Sequence, residues 1–301
     1  LIFSLIQKSL PDPYFQLAWE EAIALRMKEL GFFAGIRIWQ NRDCLVLGIS
    51  EKESQTIREE SLSQFQKYWR DHSGSSARIF PRPTKAQKKE ENFPPFWIAR
   101  RASGGGTVFQ TRMENLNFSL FLDYEIFPEL YPVKKSYEFI LGMVISVFQN
   151  MGYTVNQRGS SDLTLDSEDG SLPKKISGNA QFRKKSILVQ HGTLILSPEL
   201  IPKIASHQLH PPDEPEYRKQ RTHFEFLTSL PQAFSQENFS TRLKEELTRQ
   251  VAVWTHRSPD SFSPEPGKEW ELIKKTIRLA DTLRSEKYAT WDWVFRESKS
   301  N

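Results

Sequence analysis

Arg100-Arg101-Ala102-Ser103-Gly104-Gly105-Gly106-Thr107-Val108-Phe109, continuing at Leu116-Asn117-Phe118-Ser119-Leu120-Phe121-Leu122, is the stretch from which the fold can be read. Two arginines and a serine precede three consecutive glycines, and a strand pattern follows. Glycine permits positive φ and close approach of backbone to a ligand. Successive amides in such a loop can form an anion-binding concavity, and the arginines carry forked donors matched to carboxylate or phosphate. Leu116, Phe118, Leu120 and Leu122 alternate with Asn117, Ser119 and Asp123, which is the period of a half-buried strand. The glycine spacing fits neither a Walker loop nor a dinucleotide fingerprint. Taken alone, the triplet is more often a flexible surface loop between two strands.

A second stretch changes that balance. Lys174-Lys175-Ile176-Ser177-Gly178-Asn179-Ala180-Gln181 leads through a basic turn into Ile187-Leu188-Val189-Gln190-His191-Gly192-Thr193-Leu194-Ile195-Leu196. Together RRxSGGGTVF, LNFSL, KISGNAQ and QHGTLIL, in this order, resemble the lipoate-protein ligase A family within the biotin/lipoate ligase-like proteins. The resemblance covers roughly the first three quarters of the chain. It implies an α/β fold (α+β, with a mixed sheet) like the catalytic core of biotin ligases and class II aminoacyl-tRNA synthetases. It implies activation of lipoate or octanoate with ATP to an acyl-adenylate, then transfer to a lysine of a lipoyl carrier domain. Such carriers are the E2 subunits of dehydrogenase complexes and the glycine cleavage H protein.

Carried onto this chain, the resemblance makes Lys175 the catalytic cation, touching the adenylate phosphate and the acyl carbonyl. It places Arg101, Ser103, Gly104, Gly105, Gly106, Val108, Asp162, Gly178, Ala180 and His191 around substrate and adenylate. ATP with its Mg²⁺, and lipoate as substrate, are the implied small molecules. Where the family commonly has Asn-Asp-Leu, this chain has Ser161-Asp162-Leu163. Asp162 is either an oxygen ligand for Mg²⁺ or the cap of a turn. His191 is either the matching family histidine or a satisfied core residue.

The whole chain sets the bounds. At 301 residues it can bury one large core. A mean hydropathy of −0.55 argues against a membrane protein, and the longest apolar run, Phe139 to Phe148, is too short to span a bilayer. That run has the spacing of an amphipathic helix. One cysteine cannot form an internal disulfide, and the N-terminus lacks a signal-peptide pattern, so a cytoplasmic location is expected. A net charge of +4 is too small to demand nucleic acid and suits an acidic protein partner or an anionic substrate. No HExxH or Cys/His zinc spacing occurs.

In chain order, Asp12-Pro13 opens a capped helix. Ile36–Trp39 and Cys44–Gly48 flank a turn at Asn41-Arg42-Asp43 and read as a hairpin, followed by Ile49-Ser50-Glu51-Lys52 where the family continues with glutamine-asparagine. Residues 53–95 are expected as an insertion, helical around Ile57, Leu62, Phe65 and Trp69, with a mobile second half. Helices are expected at Tyr137–Asn150 and Phe239–Val253. Between them lie a proline-rich crossing at 210–218 and the phrase His223-Phe224-Glu225-Phe226-Leu227. The expected organisation is a catalytic domain over 1–255 and a helical tail over 256–301. The tail is expected to hold no complete accessory domain of the kind the longer ligases carry, so a separate accessory subunit is a candidate partner.

Two other readings stay open. Octanoyl transferases share the fold, the Gly loop and Gly-x-Ala-Gln with Gln-His-Gly, but they carry the acyl group on a cysteine thiolate located between the Gly loop and the lysine phrase. Here the sole cysteine is Cys44, beside Asp43 and without a neighbouring base. A non-catalytic lipoyl- or nucleotide-binding homologue is the third reading, kept alive by Ser161.

Overall fold

In the computed structural model, which describes residues 1–7, 11–73, 78–80, 93–166 and 171–296, the alternating stretch after the glycines becomes β6 (Asn115–Asp123). It is an interior strand of a seven-stranded sheet in the order β1 (Ile2–Ile6), β2 (Ala34–Trp39), β6, β10 (Ile187–Ile195), β9 (Lys174–Lys184), β8 (Asp162–Leu165) and β7 (Val155–Arg158). Every residue of β6 is buried, not every second one as the alternation suggested. Leu116, Phe118, Leu120 and Leu122 pack with α4 (Val133–Asn150) and α7 (Gln236–Thr255). The opposite face is covered by α1 (Pro13–Arg26) and the elements packed with it. There the polar residues of β6 find partners inside the protein: Trp39 Nε1 donates to Ser119 Oγ at 2.9 Å, and Thr193 Oγ1 donates to Asn117 Oδ1 at 2.7 Å. The alternation therefore separates an apolar covered face from a polar covered one, and the polar face is where the cavities lie.

The expected hairpin does not form. β2 (Ala34–Trp39) runs between β1 (Ile2–Ile6), with which it is parallel, and β6, with which it is antiparallel. Both of its hydrogen-bonding edges are thereby taken. β3 (Cys44–Leu47) instead joins a three-stranded sheet, parallel to β4 (Trp97–Arg100) and antiparallel to β5 (Val108–Gln110). The intervening turn is held from below by Asn41, wholly buried, whose Nδ2 donates to Gln110 Oε1 at 2.7 Å.

Of the 53–95 insertion, α2 (Glu53–Thr56) and α3 (Glu59–His72) are described, as are residues 78–80 and 93–95, while 74–77 and 81–92 lie outside the described residues. The α3 pattern does bury Phe65 and Trp69. Trp69 and Trp97 both pack edge-on against Phe80, each with ring centroids 4.9 Å apart. The helical tail is built into this same core. α8 (Lys268–Leu283) lies along α1, where Trp19 Nε1 donates to Thr276 Oγ1 at 2.8 Å, and Arg284 pairs with Asp12 at 3.0 Å. No described helix is long and apolar enough to cross a membrane.

Candidate active site

Lys175 reaches the site through an irregularity in its strand. β8 (Asp162–Leu165) pairs antiparallel with β9 (Lys174–Lys184) as Asp162↔Gly178 and Leu163↔Ser177, then shifts to Thr164↔Lys175. Ile176 faces no partner residue, and its side chain enters the core beneath α4 and α7. In a regular strand Lys175 and Gly178, three positions apart, would point to opposite faces. The bulge adds one residue and brings both to the same face. Gly178 then leaves room for the lysine: a Cβ there would lie 3.2 Å from Lys175 Nζ and 3.3 Å from Cε. Lys175 Nζ pairs with Asp162 Oδ1 at 2.8 Å, and Tyr217 OH donates to Asp162 Oδ2 at 2.8 Å. Burial and the Asp162 charge push the Tyr217 phenol well above its usual range, so it stays a donor.

Two cavities meet at this lysine. The smaller, about 120 Å³, is lined by Leu17, Trp39, Val46, Gly105, Ala180 and His191 among others. The larger, about 390 Å³, extends past Val108 and Phe109 to Ile195, Leu200 and Ile204. Gly106, Val108, Asp162, Lys175 and Gly178 border both.

The arginine pair serves the loop rather than standing free. Arg100 is buried in an ion pair with Glu53 at 2.9 Å, and its Nη1 donates to the carbonyl O of Glu51 at 2.7 Å. Arg101 donates from Nε to Ser103 Oγ at 2.9 Å, from Nη1 to Val46 O at 3.0 Å, and from Nη2 to Gly104 O and Gly106 O at 2.6 and 2.8 Å. Burial lowers its pKa to about 10, so it remains charged at neutral pH. Because a trans peptide holds C=O and N–H antiparallel, drawing those two carbonyls to Arg101 directs the amides of Gly105 and Thr107 away from it. Gly105 takes φ +81° to make the turn, and its carbonyl lies where a Cβ on Gly48 would clash, 1.9 Å away.

Behind the loop runs a buried relay. Ser103 Oγ and His191 Nε2 are 2.7 Å apart, His191 Nδ1 and Glu20 Oε2 are 2.9 Å apart, and Ser119 Oγ donates to Glu20 Oε1. Burial acts to raise the Glu20 pKa, but the His191, Arg37 and Ser119 interactions outweigh it, and the carboxyl is held below its usual range. The series has the order of a nucleophilic triad, yet Ser103 is 1% exposed and its oxygen already accepts from Arg101. The relay ties the Gly loop to α1. His191 is thus both a satisfied core histidine and a wall of the smaller cavity. Ser103, buried, and Gly104, part-exposed, are in neither cavity's lining, whereas Arg101, Gly105, Gly106, Val108, Asp162, Lys175, Gly178, Ala180 and His191 are gathered there.

Sequence reasoning missed the cover over the larger cavity. Pro211, Glu214, Arg218, His223, Phe226 and Leu227 line it, and the chain is stitched to β9 by Thr228 N donating to Lys175 O at 2.9 Å. The Phe226 ring packs against Tyr217, centroids 5.2 Å apart. Burial, then the charges of Arg218, His210, Arg58 and Lys175, lower the His223 pKa to about 4. Glu51, at the point where the chain departs from the family phrase, accepts from Thr107 Oγ1 at 3.3 Å. Cys44 lies apart from both cavity linings, wholly buried, and burial with Asp43 beside it pushes its thiol well above the ordinary value.

Residues 12–252 match the lipoyl protein ligase A/B catalytic domain. The chain belongs to that family. Lipoate-protein ligase LplJ of Bacillus subtilis is 25% identical over 201 residues, spanning 67% of this chain and 55% of that protein. The chain thus spans little more than half the length of that curated relative. Among solved structures, a bi-partite lipoate protein ligase from Thermoplasma acidophilum, described with its E2 lipoyl domain, superposes with a TM-score of 0.66 at 17% identity, covering 97% of this chain and 94% of that one. A lipoate-protein ligase A bound with ATP gives a TM-score of 0.65 at 16% identity, covering 96% of each chain. The lipoyl ligase family assignment and the mixed α/β fold expected from the sequence both hold.

Proposed function

We propose that this family member activates lipoate or octanoate with ATP and transfers the acyl group to a lysine of a lipoyl carrier domain. The observation that carries the reading is Lys175 at the junction of a narrow cavity and a wider one. The narrow cavity suits an acyl chain, with Leu17, Trp39 and Val46 as apolar wall, and the wider one suits a nucleotide. In the first step a carboxylate oxygen bonds to the α-phosphorus, the bond from that phosphorus to the bridging oxygen breaks, and pyrophosphate leaves with the electron pair. A fixed ammonium at the junction stabilises the charge that builds on the phosphoryl oxygens more than it stabilises the ground state. The Gly105 and Thr107 amides, turned from Arg101, add donors of the same kind. In the second step the carrier's amine attacks the acyl carbonyl, AMP departs, and the amide nitrogen loses a proton. Lys175 polarises that carbonyl.

Asp162 fits this scheme as the group that holds Lys175. Both of its oxygens are engaged by Lys175 and Tyr217, and among the described residues no group of three or more His, Cys, Asp or Glu is placed to hold a metal ion. With Asp162 so engaged, a Mg²⁺ beside it would draw most of its ligands from the nucleotide and water. The buried thiol of Cys44 disfavours a thioester route. The test is pyrophosphate release that requires both ATP and lipoate or octanoate, followed by the mass increase of a lipoyl domain. Acyl transfer only from an octanoylated carrier protein, without ATP, would refute the reading.

A further inference from the structure

The cover over the larger cavity carries a guanidinium that the folded protein does not itself satisfy. Arg218 is 5% exposed. Its Nε donates to the carbonyl O of Arg221 at 3.0 Å and lies 3.4 Å from Glu214 Oε2, and the group stacks over Phe226 with Cζ 4.6 Å from the ring centre. Nη2 is buried and makes no hydrogen bond to any described residue. Buried polar groups are partnered in the great majority of cases, so an exception calls for an explanation. Glu214 does not supply one, because it is shared: His210 Nε2 lies 2.8 Å from it, and Gln220 N donates to it at 2.8 Å.

Lys175 and Arg218 are the Lys and Arg residues in the lining of the larger cavity, which also holds Glu51, Asp162, Asp213 and Glu214. Lys175 is paired with Asp162, which leaves the Arg218 guanidinium as the cation with an unpartnered nitrogen there, among the described residues. Lys175 and Asp162 border both cavities, whereas Arg218 borders only the larger. Arg218 therefore stands on the nucleotide side of the reacting centre. Ile195, Leu200 and Ile204 give the same cavity an apolar wall suited to a base. A nucleotide whose α-phosphate sits at the junction by Lys175 needs a second cation for the phosphates beyond it.

We propose that Arg218 receives the β- and γ-phosphates of the nucleoside triphosphate and holds the pyrophosphate as it leaves. This rests on the ligase reading and extends it to the leaving group. When the carboxylate bonds to the α-phosphorus and the bridge to the β-phosphate breaks, the electron pair passes to pyrophosphate. A planar fork with a free nitrogen matches two phosphoryl oxygens better than a point charge does. Seated on Phe226 and tied at Nε, the guanidinium is already oriented before the ligand arrives.

The test is calorimetric titration of the full chain with inorganic pyrophosphate, ATP and AMP, in the wild type and in Arg218→Met and Arg218→Lys. Arg218→Met should weaken pyrophosphate and ATP on the order of 10- to 100-fold, as loss of a hydrogen-bonded charge does, and leave AMP binding unchanged. Arg218→Lys should fall between, since it keeps charge without the fork. Equal pyrophosphate and ATP affinities in wild type and Arg218→Met, an equal loss for AMP, or no binding of pyrophosphate by the wild type each overturns the assignment. Should Arg218→Met fail to fold, Arg218→Lys decides by the same comparison, unchanged affinity refuting it. Pyrophosphate binding that depends on Arg218, in a protein that releases none from ATP and lipoate, would uphold the anion site and remove the ligase reading.

Discussion

Gly178→Ala isolates the position of one charge from the stability of the fold. Gly178 does not occupy the left-handed region, so alanine strains no backbone. The new Cβ would lie 3.2 Å from Lys175 Nζ, 3.3 Å from its Cε and 3.9 Å from Asp162 Oδ1. The atoms that must give way are the far end of a flexible side chain, and a few tenths of an ångström suffice. Melting should therefore hold steady or rise slightly, because alanine narrows the unfolded ensemble. Rate should not hold. A misplacement of about 1 Å can cost on the order of 10²-fold, so this smaller one should cost about 3- to 10-fold in acyl-adenylate formation. Rapid-quench single turnovers with ATP and lipoate measure that step. The double variant Gly178→Ala/Lys175→Ala should be no slower than Lys175→Ala alone, since the displaced charge is already gone. Losses that multiply in the double variant, or a wild-type rate for Gly178→Ala, would refute the idea that glycine is needed there to seat the lysine.

Three further outcomes are expected. Lys175→Ala should lose about 10²–10³ in adenylate formation, the effect of removing one preorganised charge-stabilising contact, while Lys174→Ala stays near the parent; comparable rates for Lys175→Ala in a folded protein would overturn the site. Cys44→Ala should still lipoylate a carrier domain from ATP and lipoate, read by intact mass, and loss of that activity in a folded variant would favour a thioester route. His223 has a folded pKa of about 4 against an ordinary 6.5. The unfolded chain therefore binds the proton first as pH falls, and stability drops between pH 6.5 and 4. The melting temperature of His223→Asn should decline less over that window, and parallel profiles would count against a neutral, half-buried imidazole.

What the sequence made legible was local. Asp12 followed by Pro13 announces α1, and Asp12 Oδ1 does accept from Phe15 N at 3.1 Å. The hydrophobic period of α4 and the motif order need no tertiary knowledge either. The hairpin failed for a non-local reason: β2 has no open edge, and nothing between Asn41 and Asp43 encodes that β1 and β6 have taken both. The bulge at Ile176 is likewise silent in the sequence, although it decides which face Lys175 shares. Arg101 was legible as important but not as a ligand of its own loop's carbonyls, since that depends on how tightly the glycines turn. Tyr217 and Arg218 sit in a proline-rich crossing without periodicity, and only the path of the chain back across β9 gives them a place at the cavity.

Helix α1 has adjacent glutamates with different allegiances. Glu20 belongs to the His191 relay, whereas Glu21 pairs with Lys287 at 2.6 Å and Lys184 at 2.8 Å. The contact between Asp12 and Arg284 spans 272 positions. During synthesis at 5–20 residues per second, α1 therefore waits on the order of 15–55 s for the helix that covers it. Until then an apolar helix face and a carboxylate destined for burial are open to solvent and to other nascent chains. The helix that anchors the Gly loop from behind is covered only once α8 and Arg284 have emerged, so assembly of the site is tied to their synthesis. Folding yield, rather than the equilibrium stability of the finished protein, is where changes at the α1–α8 seam should first be felt.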